Sequence, residues 1–169
     1  FFAEELGRFY SINHGMSVVI VRPSNVYGAP QVSTVNRSTL VPNCFVNQAI
    51  DKGSITLHSS GKQTRNFVST DEVSDSILNV LQDFPQGFSK INACSNYQAS
   101  ILDIARLVSN VFLEKHKENV KINVNSPKPN NANRFCYTSN VFTPSADAAA
   151  CKRNMLSVIA HLIQQRKSK

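Results

Sequence analysis

The chain has 169 residues, 41 % of them hydrophobic and 17 % charged, with four cysteines and a formal net charge of +7. That balance suits one folded domain with a real core and excludes a chain disordered along its whole length. No apolar run reaches membrane-spanning length, and the start "FFAEELGRFY" has acidic residues where a secretory signal would be basic and then apolar, so no membrane partner is expected and the cytoplasm is the simplest compartment.

The first residues read as helix, with Phe2, Leu6, Phe9 and Tyr10 on one face and Gly15 where a helix C-cap is expected. A chain that opens inside a helix is expected to have lost what came before. "SVVIV" from Ser17 is short, unalternating and β-branched, the pattern of a strand buried on both faces in a parallel sheet. It runs straight into "RPSNVYG", Arg22 to Gly28, an oddly polar end for such a strand.

After the loop "GAPQVSTVNRS" a helix is predicted from about Val41, with Val41, Phe45, Val46, Ala49 and Ile50 as its apolar face and Gly53 as its stop; Pro42 falls in its first turn. "SITLH" alternates as a half-buried strand, and "SSGK" turns into a second one, "RNFVS". Ser69 and Glu72 have capping-box spacing, and the helix behind them is predicted to bury Val73, Ile77, Leu78 and Leu81 before ending near "DFPQG". "FSKINA" is a strand candidate. Ser100 opens a long helix with Ile101, Ile104, Ala105, Val108, Val111 and Phe112 in 3.6-residue period. "VKINV" looks edge-like, "NSPKPNNANR" reads as loop, and a last helix is expected over 146–165. The predicted class is α/β: the end of a larger parallel-sheet domain followed by a small mixed α/β subdomain.

The excess positive charge favours anionic partners, either nucleic acid or phosphate-bearing small molecules. Much of it sits in Lys152, Arg153, Arg166, Lys167 and Lys169, without the block of basic and aromatic residues that tracks a nucleic-acid backbone, so nucleic acid is not the expected partner. Cys44, Cys94, Cys136 and Cys151 lack the spacing of a metal site and read as free, mostly buried thiols; no metal is expected. Ligands of open α/β sheets bind beyond the carboxyl ends of the strands, which puts Pro23, Ser24 and Asn25 in place for contact, although a polar turn with Asn25 bonding its own backbone fits as well. Arg65, shortly before a helix N-terminus, has the reach to grip a phosphate, or else to pair with Asp71 or Glu72 at the surface. His58 is either a ligand contact or a strand-surface histidine.

Taken in order, "AEELGRFYSINHGMSVVIVRPSNVYGAP", "LVPNCFVNQAI", "ITLHSSGKQTRNFVSTDEV" and "INACSN" resemble the second half of the extended short-chain dehydrogenase/reductase family, in particular its NAD-dependent nucleotide-sugar epimerases and dehydratases of the UDP-glucose 4-epimerase kind. The likeness is good over residues 1–100 and thin beyond, and its most specific part is the pairing of "RPSNVYG" with "GKQTRNFV". It implies a partial epimerase/dehydratase domain over 1–169, with 1–35 the end of the Rossmann part and 36–169 mainly the part that closes over a UDP- or dTDP-sugar. Pro23 and Ser24 would face the nicotinamide of NAD. Asn25 would contact the substrate diphosphate or sugar, Leu40 and Val41 would lie along the nucleotide, and Thr56, Leu57 and His58 would bracket the base. Arg65 and Arg134 would bind the diphosphate, with Asn96 in the loop beside them.

The departures are as informative. No Gly-x-x-Gly-x-x-Gly cofactor loop is present, and aligning on Glu4 would put the lysine of the family's Tyr-x-x-x-Lys just before Phe1. No catalytic residue is therefore assigned here, and the chain alone is expected neither to turn over nor to hold NAD well. A homodimer built on the Tyr-Lys helix, common in the family, would use Phe1, Phe2 and Phe9, which a core face would explain equally. The competing expectation is a non-catalytic module of the same descent that uses its basic surface on nucleic acid or protein.

Overall fold

A computed structural model of the chain describes residues 2–30, 32, 37–125 and 146–168. Helix α1 (Phe2–His14) ends at Gly15, whose φ of 67° lies in the left-handed region. Strand β1 (Val18–Pro23) follows, and one residue later the chain enters β2 (Asn25–Tyr27). Then come α2 (Asn43–Lys52), β3 (Ser54–Leu57), β4 (Thr64–Ser69), α3 (Thr70–Gln82) and β5 (Phe88–Ala93). The remainder is β6 (Gln98–Ser100), α4 (Ile101–His116), β7 (Lys121–Val124) and α5 (Ala148–Lys167).

The strands form three small sheets. β1 lies parallel to β5 from Val18 opposite Phe88 to Pro23 opposite Ala93. β4 is central to a second sheet, parallel to β2 on one side and antiparallel to β6 on the other. β3 pairs in parallel with β7. The parallel pairings and the mixed second part agree with the expected α/β class.

Local chemistry explains most boundaries. Ser69 and Ser100 each cap a helix by accepting from the backbone N–H three residues on, and Glu72 and Asp103 return the bond, so two capping boxes start α3 and α4. Asp147 caps α5 through the Ala150 N–H at 2.6 Å. Gly53 closes α2 with φ 61° and its N–H on the Ala49 carbonyl, a conformation that would cost any residue with a Cβ.

The main core joins α2, α4 and α5 with β3, β4 and the β2 end, around Tyr27, Phe67, Phe112, Ile55, Ile104 and Met155. None of its residues comes from α1, β1, α3 or β5. Of these, α1, β1 and β5 pack mostly on one another, Gly7 letting α1 approach Val18, Ile20 and Phe88, while α3 packs on β2, β4 and β5.

This division accounts for two corrections. "SVVIV" was expected to be buried on both faces, but Val18 to Val21 are only half-buried, because β1 has a strand partner on one edge alone among the described residues. The apolar stripe of α3 was expected to be buried, yet Leu78 is 57 % and Leu81 60 % exposed and Ile77 is exposed too; what packs on α3 comes from β2, β4 and β5 and leaves that stripe uncovered. A third difference is that "NVY", read as turn, is strand: Asn25 to Tyr27 pair with Phe67 to Ser69.

Candidate functional site

The end of β1 and the start of β2 lie on one nearly continuous stretch, but they pair with different sheets. The change of partner happens at Ser24, whose backbone N–H still donates to the Ala93 carbonyl of β5 at 2.9 Å. Its side chain already belongs to the second sheet, since Ser24 Oγ donates to Asn66 Oδ1 at 2.7 Å.

Asn66 organises this junction. It is 2 % exposed, and both ends of its carboxamide are used. Oδ1 accepts from Ser24 Oγ and from the Ser95 N–H at 3.2 Å, while Nδ2 donates to the Ser95 carbonyl at 2.7 Å. Its backbone carbonyl accepts from Asn25 Nδ2 at 2.9 Å. Ser95 Oγ donates to the Phe67 carbonyl at 2.6 Å and accepts from the Tyr97 N–H at 2.9 Å, which locks the β5 exit loop onto β4. A buried network with every member partnered is rigid, because any rotation leaves a polar group dry and unpaired.

Asn25 therefore bonds the neighbouring strand and not its own backbone. Its Oδ1 takes no hydrogen bond among the described residues, and the residue is exposed. Arg65, one residue before Asn66, is half-buried and donates through Nη1 to the Thr64 carbonyl at 3.3 Å. It forms no ion pair among the described residues, and Glu72 is engaged with Ser69. The rest of its guanidinium fork is free to bind.

The other predicted residues divide. Leu40 is exposed, and half-buried Val41 packs against the core. On β3, Thr56 donates its N–H to Gln48 Oε1 at 2.8 Å, and Leu57, 3 % exposed, turns its side chain into the core while its carbonyl accepts from the Asn125 N–H at 2.9 Å. His58 is exposed just past the strand. Asn96 Nδ2 donates to the Ala146 carbonyl at 3.0 Å beside the α5 cap. Arg134 lies outside the described residues. Pro23, Ser24, Asn25 and Arg65 are thus drawn together around Asn66, whereas Leu40, Val41 and Thr56 to His58 stand on α2's approach and on β3.

Two supports hold this junction from outside. Arg22 Nε donates to Glu4 Oε1 at 2.8 Å, with a second contact from its Nη2 to Glu4 Oε2, and Lys90 lies 3.6 Å from the same carboxylate. Chiefly through the Arg22 hydrogen bond, the Glu4 carboxyl is lowered to about 2. On the other side, Tyr27 is buried and its hydroxyl donates to the Cys151 carbonyl at 3.4 Å. Burial, and secondarily the charge of Glu72, raises its phenol pKa, so it stays protonated as a structural donor. Burial also raises the Cys151 thiol, which donates to Glu72 Oε1 at 3.4 Å.

Asn66 and Ser95 are the residues that sequence reasoning missed. The signal was available for Asn66, an amide at an interior position of "TRNFVS", where a strand next to a core has no water to bond it. Ser95 gave none.

With the geometry in place, comparison with known proteins is direct. The model of the NAD dependent epimerase/dehydratase family matches residues 1–94, more than half of the chain. The chain belongs to that family. Among curated epimerase/dehydratase relatives, dTDP-L-rhamnose 4-epimerase of Burkholderia thailandensis is 36 % identical over 106 residues, 63 % of this chain and 29 % of that protein. Human dTDP-D-glucose 4,6-dehydratase is 30 % identical over 116 residues, 69 % of this chain and 31 % of that protein. Among solved structures, UDP-N-acetylglucosamine 4-epimerase from Methanobrevibacter ruminantium superimposes with a TM-score of 0.73 at 17 % identity, covering 97 % of this chain and 52 % of that one. The Bacillus cereus UDP-glucuronic acid 4-epimerase, in complex with UDP-glucuronic acid and NAD, gives 0.71 at 21 % identity, covering 96 % and 50 %. These likenesses establish the epimerase/dehydratase fold. The chain thus spans about half the length of the structural neighbours and about a third of the curated relatives. No helix among its described residues is long and apolar enough to cross a membrane.

Proposed function

We propose that the chain is the substrate-binding half of an NAD-dependent nucleotide-sugar epimerase or dehydratase that acts on a UDP- or dTDP-sugar. The observation that carries this reading is the Asn66 junction: one buried residue, next to Arg65 on β4, holds Ser24 through its carboxamide and Asn25 through its backbone carbonyl, with the Arg65 fork and the Asn25 carboxamide oxygen unclaimed. A guanidinium is the group best matched to a diphosphate, and Asn25 Oδ1 would accept from a sugar hydroxyl beside it. In this reading Leu40, Val41 and the backbone of Thr56 to His58 lie along the nucleoside, and Asn96 and Arg134 complete the diphosphate end. Residues 1–35 then belong to the cofactor side and 36–169 mainly to the substrate side, with β5 returning to pair with β1.

Pro23 and Ser24 fit an uncharged ring better than a phosphate. Pro23 has no N–H, and both donors of Ser24 are spent inward on Ala93 and Asn66. They would border the nicotinamide end of NAD, which when bound would take and return the hydride. This chain's own part is positioning: holding the diphosphate so that the sugar faces the cofactor. The sequence contains neither the Tyr-x-x-x-Lys pair nor the glycine loop of the resemblance, so on its own it is expected not to turn over.

A second reading, a polyanion-binding module of the same descent, is favoured by the net charge and by a basic cleft between α4 and α5 lined by Lys115, His116, His161 and Lys167. Titration with UDP-glucose and dTDP-glucose, each alone and against a short single-stranded oligonucleotide, separates the two. Saturable sugar-nucleotide binding that the oligonucleotide does not displace is the expected result. Binding of the oligonucleotide alone would overturn the first reading.

A further inference from the structure

Beside the junction, the turn after β2, the segment leading into α2 and the first residue of α3 enclose a cavity of about 300 Å³. Val26, Ala29 and Leu40 give it an apolar floor, while Arg37, Asn43 and Thr70 are polar residues of its lining; no carboxylate lines it among the described residues. Gly28 keeps it close-walled, for a Cβ there would come within 2.9 Å of Thr70. Three features are unusual together. Asn43 is only 7 % exposed as a residue, lines the cavity, and has a carboxamide that makes no hydrogen bond to any described residue. Arg37 meets no acidic partner among the described residues. Asn43 also stands first in α2, a ten-residue helix whose N-cap, Pro42, supplies no side-chain cap; the Cys44 N–H donates to the Leu40 carbonyl and those of Phe45 and Val46 to the Pro42 carbonyl, which leaves the Asn43 N–H as the first-turn donor without an acceptor among the described residues.

We propose that this cavity is a binding site for a small oxyanion, a phosphate monoester or a carboxylate on an uncharged body. The anionic oxygens would take the Asn43 carboxamide N–H, the Asn43 backbone N–H and the Arg37 guanidinium, and Thr70 Oγ1 would serve a neighbouring hydroxyl. The uncharged body would rest on Val26, Ala29 and Leu40. The inference goes beyond the proposed function: neither Asn25 nor Arg65 is among its residues, and Leu40, on the cavity's apolar floor, is the residue it shares with the nucleoside side of that reading.

The test is a ¹H–¹⁵N titration of the full chain with inorganic phosphate and, separately, acetate at constant ionic strength. Saturable shifts of the Asn43 side-chain and backbone amides are expected with at least one anion, and whichever binds more tightly names the source. Arg37→Ala, an exposed change that should not disturb folding, and Asn43→Asp, which brings a like charge, should each weaken binding by about tenfold or more. Shifts that never saturate, or that both variants leave unchanged, would overturn the site. A UDP-glucose titration run on the same samples keeps the outcomes apart: loss of that binding in Arg65→Ala concerns the diphosphate reading and leaves the oxyanion result standing.

Discussion

Asn66 holds four hydrogen bonds in a place that water does not reach, which gives it a cost on removal that surface amides lack. Asn66→Ala keeps the backbone bond to Asn25 but leaves Ser24 Oγ, the Ser95 N–H and the Ser95 carbonyl short of a partner. The expected loss is about 3 kcal/mol, read as a lower urea midpoint with an unchanged m-value. Glu4 makes a pH prediction with a definite sign. Its folded pKa of about 2 is depressed from the ordinary 4.5, so its contribution is complete above the unfolded value and is lost as pH falls from about 4.5 toward 2. Acid should therefore loosen the α1 contact with β1 in that window, seen as faster amide exchange in α1, and Glu4→Gln should remove that part of the pH dependence. Because the pair is exposed, the effect is expected to shrink in high salt.

At the scale of elements, the capping boxes are the most easily tested features. Ser69→Ala and Ser100→Ala should each cost about 1 kcal/mol, since each removes a first-turn acceptor, and Thr70 cannot replace Ser69 once the helix register is set. These caps, the stop at Gly53 and the 3.6-residue stripe of α4 were legible in the sequence because they are set by neighbours within one turn. The stripe of α3 was read wrongly for the converse reason. Val73, Ile77, Leu78 and Leu81 have the right period, but period fixes which residues share a face and not what covers that face. The strand character of Asn25 to Tyr27 was hidden in the same way, since it comes from pairing with Phe67 to Ser69 about forty residues on. At the site, Ser24, Asn25 and Arg65 could be named from the motif, while the residue that joins them could not, because its partners, Ser24 with Asn25 and Ser95, come from two segments far from it in the chain.

The molecule as a whole has one well-filled core and one thinly covered side. Phe112 is fully buried between α4 and α5, and Phe112→Ala should cost about 3–5 kcal/mol, enough to threaten folding. On the other side, Phe2 at 81 % exposure, the α3 stripe and the half-buried β1 present apolar surface to solvent. The folded chain should therefore bind a hydrophobic dye while keeping a cooperative melt, and should self-associate as its concentration rises. In the reading proposed above this side would face a cofactor half, and the diphosphate contact of that reading stands on Arg65. The most direct measurement is calorimetric titration of UDP-glucose and dTDP-glucose into the chain and into its Arg65→Ala and Arg65→Lys variants. The account predicts saturable binding that falls at least about tenfold in Arg65→Ala and is only partly kept by Arg65→Lys, since a point charge replaces a fork. Equal binding by all three chains would contradict it.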